Sequence, residues 1–403
     1  MPNNKIAIII CWYGDWPWYW PLFVKSVKHN PTVDFLIVTD EDITIALPNN
    51  IKVISHSFIE VKDLIQRSVG VPISLENPYK LCDFKPTYGL VFQEYLVGYQ
   101  FWGYGDIDLI FGDIRAFLSN ELLNTYDVIS PFRDFLAGYF VLFRNNEKNK
   151  LLFTEGKDYA KIFQSPACRG FDECAMLHSK FHNGVNFDSI KFEIDTMTHI
   201  VKRDKEIKSL FELFCVQGIP GKLAWKNGKL ILAKKYELMA YHLADFKREP
   251  YLYLSELKEI ANSNEFYIHK NSISQSAPST IGGRLNLAIA KRNKIKYFAA
   301  FFLSWICRYT FLTKSSNMSD ENISFIEGRY KANHTIIQIY REGQNIYAKK
   351  DDEGADVLHH VKDYRFIIKK KKYLLDFKKT ENDTLRFYVT DSKRNTNIFY
   401  KLI

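Results

Sequence analysis

The chain has 403 residues, 46% of them hydrophobic and 25% charged, with a formal net charge of +9; these are values of a folded protein with room for two or three domains, and they exclude a disordered chain. No stretch reaches the ~18 uncharged apolar residues of a membrane-spanning helix, and no recognition motif accompanies the positive charge, so no nucleic-acid partner is predicted. The charge is uneven: from Arg284 onward 24 Lys and Arg stand against 13 Asp and Glu, while the first 283 residues hold 31 against 33, so the two parts are expected to face different partners.

Ile6 to Ile10 is a continuous apolar run and predicts a buried parallel strand. It is too short for a signal-peptide core. With six cysteines that show no zinc spacing, it predicts a cytoplasmic protein with reduced thiols. An aromatic loop follows, Cys11-Trp12-Tyr13-Gly14-Asp15-Trp16-Pro17-Trp18-Tyr19-Trp20, and Pro21 suits the first turn of a helix ending near His29. Asp34 to Val38 and Ile51 to Ile54 predict two more strands, the first ending at Thr39-Asp40. This strand–helix–strand rhythm indicates an open α/β sheet that binds ligands at the carboxyl ends of its strands.

Residues 76 to 99 read as helical, with Lys80, Asp83 and Lys85 inside and Pro86 as a kink. Two short apolar strands then flank Asp106-Ile107-Asp108, where paired carboxylates suit Mg²⁺ or Mn²⁺ carrying a diphosphate; the plain alternative is a solvated turn. Gly112-Asp113 opens a short helix. Tyr126 to Ser130, Gly138 to Phe143, Leu230 to Ala233 and Met239 to Leu243 predict further strands, the last carrying His242. Phe171-Asp172-Glu173 reads as a helix start, with carboxylates where the helix dipole favours them.

A Ser-, Pro- and Gly-rich stretch around 272–283 marks a boundary. Residues 284 to 313 are first basic (Lys291, Arg292, Lys294, Lys296) and then apolar (Phe301, Phe302, Trp305, Ile306). This pattern suits either a helix lying on an anionic membrane surface or one packed between domains. Alternating stretches from Ser324 to the end predict antiparallel strands, with turns at Glu342-Gly343-Gln344-Asn345 and Glu381-Asn382-Asp383 and a solvated run Lys369–Lys372. The domains expected are therefore 1–270, 271–318 and 319–403.

KLCDFKPTYG followed by FWGYGDIDLIFGDI resembles the signature region of a family of bacterial glycosyltransferases of surface-polysaccharide synthesis, whose nucleotide-sugar domain has the GT-A fold. IIICWYGDWPWYWPLFVKSVKHNPTVDFLIVTD is similar to that family's first βαβ unit. The resemblance spans residues 5 to 250. It implies an α/β, GT-A-like domain, followed here by a helical segment and a small antiparallel β domain that resemble nothing known to us.

The resemblance implies that Asp106 and Asp108 hold a divalent cation, Mn²⁺ or Mg²⁺, against the diphosphate of a nucleotide-sugar donor, with His242 completing the metal shell. Asp40 would contact the nucleoside, Lys80 and Lys85 would lie near the donor, and Asp83 would organise their helix. Lys247 would neutralise phosphate charge, and Asp172 or Glu173 would activate an acceptor hydroxyl on a glycan or lipid-linked glycan. Trp12 and Tyr13 would either stack on the donor or pack the start of the first helix. His242 reads equally well as a buried histidine bonded to backbone. An inverting displacement needs a base, which Asp172 or Glu173 would supply, and a retaining one does not. Two rivals remain. Nucleotidyl transfer wants a glycine-rich phosphate loop where CWYGDWPWYW has one glycine, and a non-catalytic carbohydrate-binding scaffold would not need both aspartates.

Overall fold

The structure is a computed structural model that describes residues 4–182, 185–218, 221–249, 252, 254, 257–310, 320–332, 335–343, 345–350, 355–362, 365–368, 373–379, 385–390 and 396–401. The chain divides into two compact units, Met1–Lys294 and Ile295–Ile403. The division falls inside a helix, whereas the composition placed it near residue 270.

The first unit is a mixed α/β domain built on a seven-stranded sheet. Its strands are β1 (Ile6–Cys11), β2 (Val33–Thr39), β3 (Ile51–Ser55), β4 (Phe101–Gly105), β6 (Val128–Ser130), β7 (Phe140–Arg144) and β8 (Ser209–Phe211), in the order β3-β2-β1-β4-β7-β6-β8; β5 (Leu109–Phe111) belongs to another sheet. The first four are mutually parallel, and β7 runs antiparallel to both β4 and β6. Strand alternation explains the uninterrupted apolar runs: Ile6, Ile8 and Ile10 enter one core and Ala7 and Ile9 the other. A sheet covered on both faces has no solvated side to mark with polar residues.

Helix α1 (Trp20–Lys28) has a proline in its first turn and packs on the first of these cores. Helix α2 (Phe58–Val69) went unread in the sequence although it opens with a full capping box, Ser57 with Glu60, and closes on Gly70; such a cap stabilises by about 1 kcal/mol. The region 76–99 is not one helix. It is a 3₁₀ run Pro78–Thr87, a single α turn Tyr88–Val91 and a second 3₁₀ turn Gln93–Leu96. Pro86, inside the first run, has no N–H to give an α-helical bond.

A three-stranded sheet joins β5, β9 (Cys215–Gln217) and β13 (Ala240–His242). A five-stranded sheet joins β10 (Leu223–Lys226), β11 (Lys229–Leu232), β12 (Tyr236–Leu238), β14 (Glu265–Ile268) and β15 (Ile273–Ser274). Helix α3 (Met197–Arg203) lies against the second core, and helix α4 (Ile281–Thr310) carries the basic segment.

In the second unit eight antiparallel strands close into a barrel: β16 (Gly328–Ala332), β17 (Thr335–Glu342), β18 (Asn345–Lys350), β19 (Asp356–Lys362), β20 (Arg365–Ile368), β21 (Tyr373–Lys379), β22 (Leu385–Thr390) and β23 (Thr396–Lys401). Alternation in the sequence marks six of them, at 336–340, 346–349, 364–368, 373–377, 385–389 and 397–402, while β16 and β19 carry no such mark. Tyr330, Phe366, Phe377, Phe387 and Phe399 form part of its core, as expected of a barrel whose bore is just wide enough for side chains. The turn Glu381-Asn382-Asp383, Gln344 of the first turn, the run Lys369–Lys372 and the side chains of Phe301, Phe302, Trp305 and Ile306 lie outside the described residues. Among the described residues no helix is long and apolar enough to cross a membrane.

Candidate active site

Strand β4 is central, with β1 on one side and β7 on the other. Close approach to its neighbours demands its glycines: a Cβ on Gly103 would lie 2.3 Å from the Val141 carbonyl oxygen. The order β3-β2-β1-β4 reverses direction between β1 and β4, which opens a crevice at their carboxyl ends. Asp106 is the residue immediately after β4. Asp108 immediately precedes β5, so the two carboxylates straddle the passage from the large sheet to the small one.

That small sheet assembles the rest of the acidic corner. Strand β13 pairs antiparallel with β5, His242 opposite Leu109, and the Leu243 amide donates to the Asp108 carbonyl at 2.9 Å. Alternation along β13 buries the Tyr241 side chain in the core and turns His242 to the other side, with Nε2 3.1 Å from Asp108 Oδ2. A 3₁₀ turn, Phe246–Arg248, follows on its buried anchor Phe246 and delivers Lys247 Nζ to 2.5 Å from the same oxygen. The Lys247 ammonium also lies 5.7 Å from the Tyr19 ring centroid, which links the corner to the aromatic loop.

Residues 78–87 supply a second wall. In a 3₁₀ helix positions three apart eclipse, so this run presents three distinct rows. Tyr79, Cys82 and Lys85 face the cleft. Leu81 and Phe84 face the core. Lys80 and Asp83 form a fully buried pair at 2.6 Å, and the Lys80 ammonium also donates to the carbonyls of Ile162 and Ala167. Asp83 accepts the amides of Arg169 and Phe171. The expectation that Lys80 lies near a donor is therefore corrected: its donors are consumed in clamping residues 162–171 onto the run. Asp83 organises that clamp and does not line the cleft. Lys85 does, with Nζ 2.6 Å from Asp106 Oδ1 and 2.9 Å from the Gly138 carbonyl.

Asp172 and Glu173 line the same cleft as the aspartates, and here too the sequence reading is corrected. Residues 171–176 form no helix start; they are turns, with Ala175 and Met176 at φ 55° and 61°, so the carboxylates owe their place to the cleft and not to a helix dipole. Glu173 Oε1 accepts the Gly138 amide at 2.6 Å and Oε2 meets His178 Nε2 at 2.5 Å. Gly138 has no room for a side chain, since a Cβ there would lie 2.3 Å from Asp172 Oδ2 and 2.7 Å from Glu173 Cγ. A continuous hydrogen-bonded path thus runs from His178 through Glu173, Gly138 and Lys85 to Asp106.

The charges divide by environment. Burial raises the Asp108 carboxyl, but His242 and Lys247 together outweigh it and hold the group below the usual carboxylate range. Burial raises Asp106, opposed by Lys85. Burial and the neighbouring Glu173 push Asp172 well up. Burial works on Glu173 as well, but the His178 hydrogen bond and charge win and keep it low. His178 is raised, first by its hydrogen bond to Glu173.

The cleft so formed is about 240 Å³ and is lined by Lys85, Asp106, Asp108, Asp172, Glu173, His178, His242, Lys247 and Arg248, among others. Two aspartates and a histidine are a donor set of the kind that takes Mn²⁺ or Mg²⁺, and Asp108 Oδ1, buried without a hydrogen-bond partner, is an unused ligand atom. The residues fit a divalent cation in kind. As they stand, Lys85 and Lys247 occupy carboxylate oxygens, and among the described residues no three His, Cys, Asp or Glu side chains are gathered to hold an ion.

Trp12, Tyr13 and Asp40 stand outside this cleft, at the carboxyl ends of β1 and β2. Tyr13 donates to the His56 carbonyl and packs edge-on against Phe58. Trp12 stacks on Trp16 and Trp16 on Trp20, which supports the packing role, with Trp12 itself half-buried. Asp40 is exposed. Sequence reading missed Gly138, Tyr139 and His178. His178 follows Glu173 by five residues, a proximity that could have drawn attention to it.

One solved structure to which the chain is similar is that of the galactosyltransferase LgtC in complex with donor and acceptor sugar analogues. The two are 11% identical over 39% of this chain and 64% of that one, with a TM-score of 0.26. No curated protein matches in sequence. Residues 8–277 match the model of a family of unknown function, DUF6625, and the chain belongs to that family.

Proposed function

We propose that the protein is a metal-dependent glycosyltransferase with a GT-A-like domain. It would move a sugar from a nucleotide-diphosphate donor to a hydroxyl of a lipid-linked glycan in surface-polysaccharide synthesis. The observation that carries this reading is the convergence, in the lining of one cleft at the β1/β4 switch point, of the Asp106–Asp108 corner and the Asp172–Glu173 pair. Its 240 Å³ is below the ~300–1,000 Å³ of pockets that hold whole ligands. The cleft would therefore take the reacting end of a donor, with the nucleoside reaching toward Asp40 and the aromatic loop.

A divalent cation held by Asp106, Asp108 and His242 would, when bound, supply charge stabilisation for the departing diphosphate. Lys247 and Arg248 would bind the same phosphates. Lys85 holds Asp106 in place and brings positive charge to a cleft with four carboxylates. Glu173, kept ionised by His178, is suited to accept the proton of an incoming hydroxyl. Asp172, pushed toward its neutral form, is suited to donate a hydrogen bond to a sugar oxygen.

Helix α4 supports a peripheral membrane contact. Ile281 and Leu285 are exposed, and Arg284, Lys291 and Arg292 are exposed beside them, while Gly283, Asn286 and Ala290 are buried. A face that mixes cations with apolar side chains suits the interface of an anionic bilayer at the cytoplasmic side. The decisive experiment is a screen of nucleotide sugars for hydrolysis and transfer, with and without Mn²⁺, on the wild type and Asp108→Ala. Turnover that needs both the ion and Asp108 is expected. Uniform inactivity, with no thermal shift from any nucleotide, would leave the scaffold reading.

A further inference from the structure

The buried Lys80–Asp83 clamp has a consequence for two thiols. By holding the carbonyl of Ala167 and the amides of Arg169 and Phe171, it brings the intervening Cys168 to the cleft that Cys82, on the outward row of the 3₁₀ run, also lines. Both thiols line the cleft, each flanked by the bonds that tie Lys80 to the Ala167 carbonyl and Asp83 to the Arg169 amide. Both are half-buried, so a small solute reaches them, while Cys174 and Cys215 are buried. Nothing in the proposed chemistry uses either sulfur.

We propose that Cys82 and Cys168 are a modification site, a thiol pair that closes to a reversible disulfide in the cleft wall when it meets a hydroperoxide. Cys168 is the attacking sulfur. The Cys82 thiol and the Gly170 amide lower the Cys168 thiol against the effect of burial, while Cys82 is raised, so Cys168 is the more readily ionised of the two. The Cys168 thiolate attacks one peroxide oxygen and the O–O bond breaks. The leaving oxygen takes a proton and departs as water or an alcohol, and Cys168 becomes a sulfenic acid. The Cys82 sulfur then attacks Cys168 Sγ and the S–O bond breaks. The released hydroxide takes the Cys82 proton as water. Two thiols are oxidised by two electrons in all, and one peroxide is reduced. The disulfide would tie residues 167–171, which lead straight into Asp172 and Glu173, to the segment that carries Lys85, and oxidation would lock that wall.

The inference does not depend on what the cleft transforms, so its test needs no substrate. The full-length reduced protein is treated with hydrogen peroxide at near-stoichiometric ratio, alkylated, and mapped by mass spectrometry without reduction. The expected result is a linked pair of peptides containing Cys82 and Cys168, lighter than their reduced sum by two hydrogen atoms. The link should be lost on dithiothreitol treatment and in Cys168→Ser, and retained in Cys174→Ser. Conversion of Cys168 to sulfinic acid with no link would overturn the proposal. So would pairing of Cys168 with Cys11, Cys174 or a second chain. The wild-type map decides the matter even if a serine variant fails to fold.

Discussion

The amide of Leu243 donates to the carbonyl of Asp108 at 2.9 Å, and this one backbone bond seats His242 on a carboxylate 134 residues earlier in the chain. The same pairing starts the turn that brings Lys247 to Asp108. The acidic corner is thus a product of two strands meeting, and its variants should behave as one unit.

Asp108→Asn should abolish metal-dependent turnover and also change the response to acid. The folded-state pKa of Asp108 is depressed, so its ionised form contributes stability above the ordinary carboxylate value of about 3.9, and that contribution is lost as pH falls through the lower folded value. Thermal melts from pH 7 downward should show a flatter acid limb in the variant. An unchanged acid limb would contradict the pairing with His242 and Lys247.

Asp172 has the opposite sign. Its folded pKa is raised, so its contribution is present below the unfolded value and lost as pH rises through the folded one. Asp172→Asn should therefore raise Tm at pH 8, by about 2–4 °C per kcal/mol relieved in a domain of this size, while transfer activity falls. Differential scanning calorimetry at pH 5 and 8 should show the larger gain at the higher pH.

Lys247→Met frees Asp108 Oδ2 from its ammonium. Mn²⁺ affinity measured by calorimetry should rise, because the carboxylate no longer has a competing cation, and affinity for nucleoside diphosphate should fall. Joint loss of both affinities would mean that the lysine supports the site only structurally.

Lys80→Met should act on stability first. The pair it breaks is wholly buried, and leaving Asp83 unpaired costs about 3–5 kcal/mol. Urea denaturation should show a loss of that order. A variant with native stability and impaired donor binding would restore the donor role that the buried geometry removes.

Gly138→Ala probes the other wall. A methyl group has no place among Asp172 Oδ2, Glu173 Cγ and Glu173 Oε1, so kcat should fall by an order of magnitude or more while Mn²⁺ affinity at the Asp106–Asp108 corner holds, as titration would show; a 1 Å misplacement of reacting groups costs roughly 10²-fold.

What the residues determine by themselves is the α/β class, through apolar runs such as Ile6–Ile10 that only a sheet covered on both faces accommodates, and the place of Asp106 and Asp108 just past a buried, glycine-bearing strand. These are local signals, and hydrophobic period and chain order suffice to read them. The roles of neighbouring polar residues were a different matter. An α-helical reading of residues 76–99 leaves Lys80, Asp83 and Lys85 as members of one helix without sorting their roles, whereas the 3₁₀ period of three sends Lys85 into the cleft and Lys80 and Asp83 into a buried clamp. A helix start at Phe171 would have left Asp172 and Glu173 as dipole partners, whereas turns held where the Glu173 carboxylate meets the Gly138 amide and His178 make them part of the cleft lining. Only the tertiary structure could decide these assignments, together with the closure of the barrel, because each depends on pairings between residues far apart in the chain whose free energy no local window contains.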